Sequence, residues 1–276
     1  MSTMYDWSLL RAGAFRLDGG SMFGVVPRAI WAGLTTPDED NRIPLQCNCL
    51  LLRGGGETTL VETGFGGKWT DRDRGFYDLE RRTVVDALGE AGVTPGDVTT
   101  VIVTHLHFDH AGGLTHLDAD GTPVSTFPRA RIVVQRTEWE DALANKSTMT
   151  KTYLRTHLDP IAGQVDVVDG EAEVRPGIHV WPVPGHTWGQ QAVRFADADG
   201  IVAFPGDVMP TVNHAGPAFS MGYDMLPYEN MRSKVTLLER AAAETWRLVL
   251  DHEPGNPVVR VETDPKRPGR YRLQPT

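Results

Sequence analysis

Cysteine is nearly missing from this 276-residue chain, which has only Cys47 and Cys49, in the stretch LQCNCLLL. On an extended strand, residues two apart point to the same face, where reduced cysteines behave as small buried apolar groups. A metal site built on this pair needs two further soft ligands, and the sequence has no third cysteine. The pair therefore predicts reduced core cysteines and favours a cytoplasmic location.

Long apolar runs and clusters of basic residues are also missing. No run approaches the roughly 20 apolar residues of a membrane helix, and residues 1–10 lack the features of a signal peptide. The chain has 27 Lys and Arg against 36 Asp and Glu, a net charge of −9. Because binding to a phosphate backbone needs clustered cations, neither a nucleic acid nor a membrane is an expected partner.

What the chain does have is a globular composition, 40% hydrophobic and 8% aromatic, and two similar halves. The stretches CLLLRGGGETTLVETG and QAVRFADADGIVAFPGD each predict two strands joined by a turn, ending near Glu62 and Asp207. Apolar residues at helical intervals predict helices over residues 79–91 and 230–243. We expect one α/β domain over residues 1–276, with two βαβ-like halves whose sheets face each other and helices outside.

The stretch VIVTHLHFDHAGG places costly polar groups at the end of a hydrophobic strand. His105 and His107 are two residues apart on an extended segment, so both imidazoles reach toward one ion. Asp109 and His110 follow where the chain turns into a helix, which sends them to a different position. The segment therefore predicts two adjacent sets of metal ligands.

Three further donors follow other predicted strands. They are His186 in VWPVPGHTWG, Asp207 in AFPGDVMP and His252 in LVLDHEPG. Each follows an apolar strand beside Gly or Pro, which is how a scaffold gathers functional side chains on one rim. Five histidines and two aspartates are too many for one tetrahedral ion and suit two.

Imidazole and carboxylate are ligands of borderline divalent ions, with Zn²⁺ expected first and Mn²⁺, Fe²⁺ and Co²⁺ as competitors. The expected arrangement is a two-metal centre with ions ~3.5–4 Å apart, bridged by a carboxylate and a hydroxide.

HLHFDH resembles the HxHxDH signature of the metallo-β-lactamase superfamily, and GHTWG, GD and the late histidine match its other motifs in order. The resemblance implies a four-layer αββα sandwich. It also implies a first metal site of His105, His107 and His186, with Asp207 bridging to a second. The ligands implied for that second site are Asp109, His110 and His252.

Within the superfamily, HLHFDHAGG, VVQRTEWE and MFGVVPRAIW look most like the N-acyl-homoserine lactonases, with methyl parathion hydrolase as a related branch. The resemblance implies hydrolysis of a small neutral ester or lactone, and it is compatible with a homodimer that uses the N-terminal segment.

Three departures from that pattern concern the site. Glu62 stands where the family usually has Asp, in a position that orients a ligand histidine. The tyrosine that follows the bridging Asp in the lactonases is replaced by Val208, so Tyr223 is the candidate for its role. The final ligand lies in DHEPG, without the Gly that often precedes it.

Residues outside the motifs allow more than one interpretation. Met22 and Phe23 line an acyl pocket, form an oligomer contact or pack in the core. His214 contacts substrate from a loop over the site or is a solvated loop histidine. The other histidines, interpreted as surface or loop residues, are His116, His157 and His179.

The function expected from these residues is the opening of a lactone by the metal-bridging hydroxide. Asp109 accepts and returns the proton, while Asp207 and Tyr223 complete the catalytic set. Phosphotriester or aryl ester hydrolysis is the first alternative. A non-hydrolytic di-iron protein or metal-binding module is the second.

Overall fold

The computed structural model describes residues 3–149, 151–267 and 269–276, and within them most strands belong to two large sheets. Numbered along the chain, the strands are β1 (Asp6–Asp18), β2 (Arg42–Gly54), β3 (Glu57–Val61), β4 (Thr100–Ile102), β5 (Thr115–Leu117), β6 (Pro123–Ser125), β7 (Arg131–Gln135), β8 (Val165–Val168), β9 (Ala172–Arg175), β10 (Ile178–Pro182), β11 (Gln191–Asp197), β12 (Gly200–Phe204), β13 (Arg247–Val249), β14 (Val258–Thr263) and β15 (Tyr271–Pro275). The first sheet has the order β1-β2-β3-β4-β7-β8 and the second β15-β14-β13-β12-β11-β10-β9, while β5 and β6 form a separate hairpin.

Helices fill the connections between these strands. In chain order they are α1 (Gly19–Phe23), α2 (Arg28–Trp31), α3 (Asp71–Tyr77), α4 (Val84–Glu90), α5 (Phe108–Ala111), α6 (Arg136–Leu143), α7 (Arg155–Leu158) and α8 (Pro227–Ala243). In the described part of the chain, no helix combines the length and apolar character needed to cross a bilayer.

Strand β2 shows why the two sheets stack. Its side chains alternate between faces: Leu50 and Leu52 belong to the core between the sheets, whereas Cys49 and Leu51 belong to the core under the helices. Cys47 lies on the same outward face as Cys49, and both cysteines are buried and free. The prediction of reduced core cysteines is therefore confirmed.

Three apolar layers hold the sandwich together. The central layer joins apolar residues from both sheets, such as Val133 of β7 and Val193 of β11. On the outer face of the second sheet, Leu237 and Leu238 of α8 pack against strand residues including Leu248. Because helices cover both outer faces and the sheets face each other, the predicted αββα fold class is confirmed.

The long edge strand β1 is the main element that the sequence did not reveal. Its pairing with β2 shifts register between Arg11 and Ala14, and Gly13 in that bulge has φ +128. A bulge interrupts the alternation of apolar and polar residues that identifies a strand. The helix expected over residues 79–91 is shorter, because Thr83 forms a capping box and α4 begins only after it.

The topology gathers the ends of several strands at one edge. β4 runs parallel to β3 and β7, and β12 runs parallel to β13. β10 has the same direction as β12, since each is antiparallel to β11. The segments that follow these strands therefore meet at one rim of the sandwich, which is where polar side chains of an open α/β sheet collect.

Candidate metal centre

Two buried groups of donors meet at this rim. His105, His107 and His186 form the first group. Within it, His186 Nε2 lies 2.9 Å from His107 Nδ1, and the His105 and His107 rings have centroids 4.5 Å apart. The second group, whose donor atoms lie within 4.8 Å of one another, consists of His110, Asp207, Asp251 and His252.

A tight backbone turn divides the ligands of the HLHFDH segment between these two groups. His107 is extended, with φ −63 and ψ 159, and α5 begins at the next residue, so His110 is rotated away. The turn packs closely under β3, since a Cβ added at Gly113 would lie 2.1 Å from the carbonyl oxygen of Thr63. Glycine at this position therefore allows the segment to sit where both groups receive its side chains.

Asp207 lies between the two groups. Its Oδ2 atom is 3.1 Å from His186 Nε2 and 3.9 Å from His105 Nε2. Its Oδ1 atom is 3.2 Å from His252 Nε2. One carboxylate thus faces both sets of histidines, which is the position that a bridging ligand needs.

Asp109 borders the second group. Its Oδ2 atom lies 3.5 Å from His252 Nε2, and its Oδ1 atom lies 3.8 Å from His110 Nε2. With Asp109, all seven donors proposed from the sequence lie at one place in the structure. Their roles as ligands remain a prediction.

The rings of His105 and His252 are held through their Nδ1 atoms. His105 Nδ1 lies 3.1 Å from the hydroxyl of Thr104, and His252 Nδ1 lies 3.0 Å from the carbonyl oxygen of Gln46. Such contacts fix the ring and leave Nε2 for an ion. The buried Nε2 of His105 has no hydrogen-bond partner among the described residues, and therefore fits a metal ligand.

Glu62 takes the orienting position that its place in the sequence suggested. One carboxylate oxygen lies 3.3 Å from His110 Nδ1, and the other accepts a 2.6 Å bond from the backbone amide of Thr104. Glu62 adopts the left-handed conformation, with φ +66. Since this conformation is unfavourable for a non-glycine residue, the surrounding bonds hold it in place. The longer carboxylate therefore does reach the histidine.

The electrostatics of the site favour cations. Burial alone lowers the pKa of His110, but the carboxylates of Glu62 and Asp109 outweigh it and raise that pKa to about 9. Within the described residues, the ion-pair partners of Asp109 and Asp207 are histidines rather than lysine or arginine. Buried carboxylates without a fixed positive charge are costly, so the donor set fits two divalent ions.

A cavity of about 340 Å³ opens directly above these donors. Asp109 and Asp207 line its floor, and Met22 and Tyr223 line its walls, as expected from the sequence. The other wall residues are mostly apolar and include one cation; they are Leu17, Phe76, Tyr77, Phe108, Met149, Lys151, Thr152 and Met221. The cavity therefore has largely apolar walls above a floor formed by the donors.

Among the residues that the structure describes, Phe23 and His214 are not part of the cavity lining. Their rings stack on each other with centroids 4.9 Å apart, and both are fully buried. His214 bonds to the Thr211 hydroxyl and to the carbonyl oxygen of Met22, so it supports the wall from behind. The solvated loop position expected for His214 is wrong, because the side chain is buried, and its contact with substrate stays a prediction. His157, expected on the surface, is also buried.

The family model of the metallo-beta-lactamase superfamily matches residues 42–252. The chain belongs to this superfamily. The match includes every donor from the first histidine pair to His252.

Three similar proteins place the chain within the superfamily. An N-acyl homoserine lactonase from Bacillus thuringiensis is 34% identical over 169 residues, which are 57% of this chain and 60% of the lactonase. A probable metal-dependent hydrolase from Staphylococcus aureus is 26% identical with a TM-score of 0.88, covering 100% and 99% of the two chains. A dizinc quorum-quenching lactonase in complex with its product N-hexanoyl-L-homoserine is 17% identical, with a TM-score of 0.79 and coverage of 99% and 98%. At that identity the last comparison establishes the fold alone.

Two carboxylates near this metallo-beta-lactamase centre were missed in the sequence. Asp251 immediately precedes His252 at the end of a predicted strand, so the sequence could have identified it as a candidate donor. Asp224 lies far from its partner His186 in the sequence, and no local pattern marks it. Its Oδ1 atom lies 2.9 Å from His186 Nδ1, while Oδ2 accepts bonds from the Met221 amide and the Asn230 side chain.

The bonds of Asp224 predict a positioning role. We expect Asp224→Asn to weaken metal binding by about 10–100-fold, because an amide cannot accept all three bonds and no longer polarises His186. Competition with a chromophoric chelator measures the affinity. Asp120→Asn, at an exposed acid on a surface turn, is the matched control. An affinity equal to that of the control would show that Asp224 does not orient the ligand.

Proposed function

We propose that this chain is a metal-dependent hydrolase that opens small lactones, with N-acyl-homoserine lactones as the first class to test. The observation that carries the proposal is the carboxylate of Asp207, which lies between two buried donor groups at the floor of a mostly apolar cavity. Mixed histidine and aspartate donors beside an open cavity favour catalysis, because structural metal sites are closed and commonly rich in cysteine.

In this proposal the two ions are Zn²⁺, with Mn²⁺, Fe²⁺ and Co²⁺ as alternatives that imidazole and carboxylate also bind. When bound, such a pair supplies ionised water near neutral pH and positive charge for the oxyanion that develops in ester cleavage. The histidines would hold these ions, and Asp207, whose carboxylate faces both donor groups, would be their shared ligand. One structural neighbour is a dizinc lactonase, which supports this composition.

Asp109 is the proposed proton carrier. Its carboxylate lines the cavity and lies beside His252, between the second donor group and the space for substrate. From there it accepts a proton from the attacking water and returns it to the leaving alkoxide. A single carboxylate serves both transfers, because the proton accepted in the first step is the one donated in the second.

Tyr223 is the proposed donor to the substrate carbonyl. It lines the same cavity as Asp109, and burial raises its pKa to about 12, so the phenol keeps its proton at neutral pH. A protonated hydroxyl aimed at a developing oxyanion stabilises the transition state. This role replaces the tyrosine that the sequence lacks after Asp207.

The cavity and the relatives support an acyl lactone as substrate. Its apolar walls, which include Met22, Phe108 and Met221, suit a short acyl chain with the ring at the polar floor. The curated relatives at 34% identity are N-acyl homoserine lactonases, and a product of that type is bound in one structural neighbour.

A comparison of substrates tests the proposal. We expect kcat/KM for N-hexanoyl-homoserine lactone to exceed that for aryl esters and phosphotriesters by on the order of 10-fold or more, because the cavity selects shape as well as reactivity. Lactone opening releases a proton, so pH-stat titration follows it, while absorbance follows the other two.

Tyr223→Phe serves as the internal control of this experiment. It should keep both metal ions and lose on the order of 10²-fold in lactone turnover. A phosphotriester as the best substrate would replace the proposal with its first alternative. Absence of turnover on every ester, in protein that holds two metal ions, would favour the non-hydrolytic alternative.

A further inference from the structure

Asp251 is the second carboxylate of the second donor group, together with that of Asp207. It follows β13 and precedes His252, and only 1% of its surface is exposed. Asn48 of β2 fixes this turn by donating its backbone amide to the Asp251 carbonyl oxygen and its side chain to the carbonyl oxygens of Leu250 and Glu253. The position of the Asp251 carboxylate is therefore set by backbone bonds on both sides.

The two oxygens of this carboxylate have different surroundings. Oδ1 accepts a 3.1 Å bond from the backbone amide of His252. Oδ2 is buried and has no hydrogen-bond partner among the residues that the structure describes. A donor atom of Asp251 nevertheless lies within 4.8 Å of the donor atoms of His110, Asp207 and His252. A buried carboxylate that leaves one oxygen unpartnered among ligand atoms is stabilised by a cation or by a shared proton.

The charge of the whole centre also requires a cation at this position. Five buried carboxylates lie against the histidines: those of Glu62, Asp109, Asp207 and Asp251, and that of Asp224 beside His186. Two divalent ions offset four of these five negative charges, so a centre with Asp251 ionised fits two bound cations. The adjacent carboxylates of Asp207 and Asp251 repel each other unless a cation or a shared proton lies between them.

We infer that Asp251 is a further ligand of the second metal position, contributing Oδ2 beside the imidazoles of His110 and His252. This inference rests on the two-metal centre of the proposed function and is independent of its substrate. It makes the two positions unequal. The first is dominated by three imidazoles, whereas the second carries two imidazoles and several carboxylate oxygens. Since oxygen donors suit harder ions, the second position accepts Mn²⁺ more readily than the first.

Titration of the metal-free full-length chain with Co²⁺ tests this ligand, with Asp251→Asn as the variant. Asn has nearly the same shape and removes the negative charge, so the fold is preserved. We expect the first equivalent to bind as in the unchanged protein and the second to bind on the order of 10–100-fold more weakly. The visible absorption of the second Co²⁺ should also change, because its coordination number falls.

Asp224→Asn is the matched contrast, because it removes a buried carboxylate that faces the first group instead. It should weaken the first equivalent rather than the second. Circular dichroism of both metal-free variants checks that they are folded, and Mn²⁺ in place of Co²⁺ tests the expected preference of the second position. A rescue variant, Asp251→Glu, should recover part of the second affinity.

The inference is overturned if Asp251→Asn binds the second Co²⁺ with unchanged affinity and an unchanged spectrum, since a shared proton would then account for the paired carboxylates. Lactone turnover measured on the same samples separates the two ideas. If Asp251→Asn is active and binds metal as before, only the ligand role of Asp251 is refuted. If the protein without substitutions binds two ions but does not open lactones, only the proposed lactonase function is refuted.

Discussion

Asp207→Ala is expected to lower kcat/KM for lactone opening by on the order of 10³-fold or more. The physical reason is that one carboxylate faces both donor groups, with 3.1 Å from Oδ2 to His186 and 3.2 Å from Oδ1 to His252. Without it, the two ions lose their shared ligand and their mutual repulsion is no longer offset. Steady-state kinetics and metal analysis on the same preparation measure both effects.

Two controls make this result specific. His116→Ala changes an exposed histidine and should leave turnover and metal content unchanged. Asp207→Asn keeps the shape but removes the charge, and it should resemble Asp207→Ala rather than the unchanged protein. Full activity in Asp207→Asn would contradict the bridging role, because a neutral amide is a poor ligand for two cations at once.

Removing the metal ions is expected to abolish turnover and to lower Tm by roughly 10 °C for each ion removed. At free metal ~1,000 times above Kd, binding to the native state alone contributes about 4 kcal/mol. In chains approaching this size, each kcal/mol corresponds to about 2–4 °C in Tm. The metal-free chain also retains the repulsion between Asp207 and its neighbouring carboxylates. Dialysis against a chelator, followed by calorimetry and a lactone assay, measures both quantities.

Reconstitution completes this test. Adding Zn²⁺, Co²⁺ or Mn²⁺ to the stripped protein should restore both turnover and Tm, whereas Mg²⁺ should restore little, since imidazole ligands do not suit it. Full turnover in protein shown to be free of metal would exclude metal-assisted hydrolysis as its chemistry. A restored Tm without turnover would instead assign the ions a structural role.

The fold and the meeting of the donors were predictable because both depend on strands. An apolar strand that ends in polar residues beside Gly or Pro can be predicted from a single sequence, as at VIVTHLHFDH. Parallel neighbours then bring such ends to the same edge. For this reason His105, Asp207 and His252, far apart in sequence, lie together in the structure.

The pocket was less predictable because packing rather than pattern decides it. Met22 and Phe23 are adjacent on α1, yet only Met22 faces the cavity while Phe23 stacks between His214 and Trp31. Similarly, Asp224 reaches His186 through a loop whose course depends on α8. These choices follow from tertiary contacts that no local periodicity encodes.

Both sheets contribute donors to the centre. The two cysteines are free, so they form no disulfide that could link the sheets. His105 follows a strand of the first sheet, whereas His186 and His252 follow strands of the second. Metal ions held by these donors would therefore link the two sheets across their interface. Because such a link needs donors from both sheets, we expect metal binding to depend on correct packing of one sheet against the other.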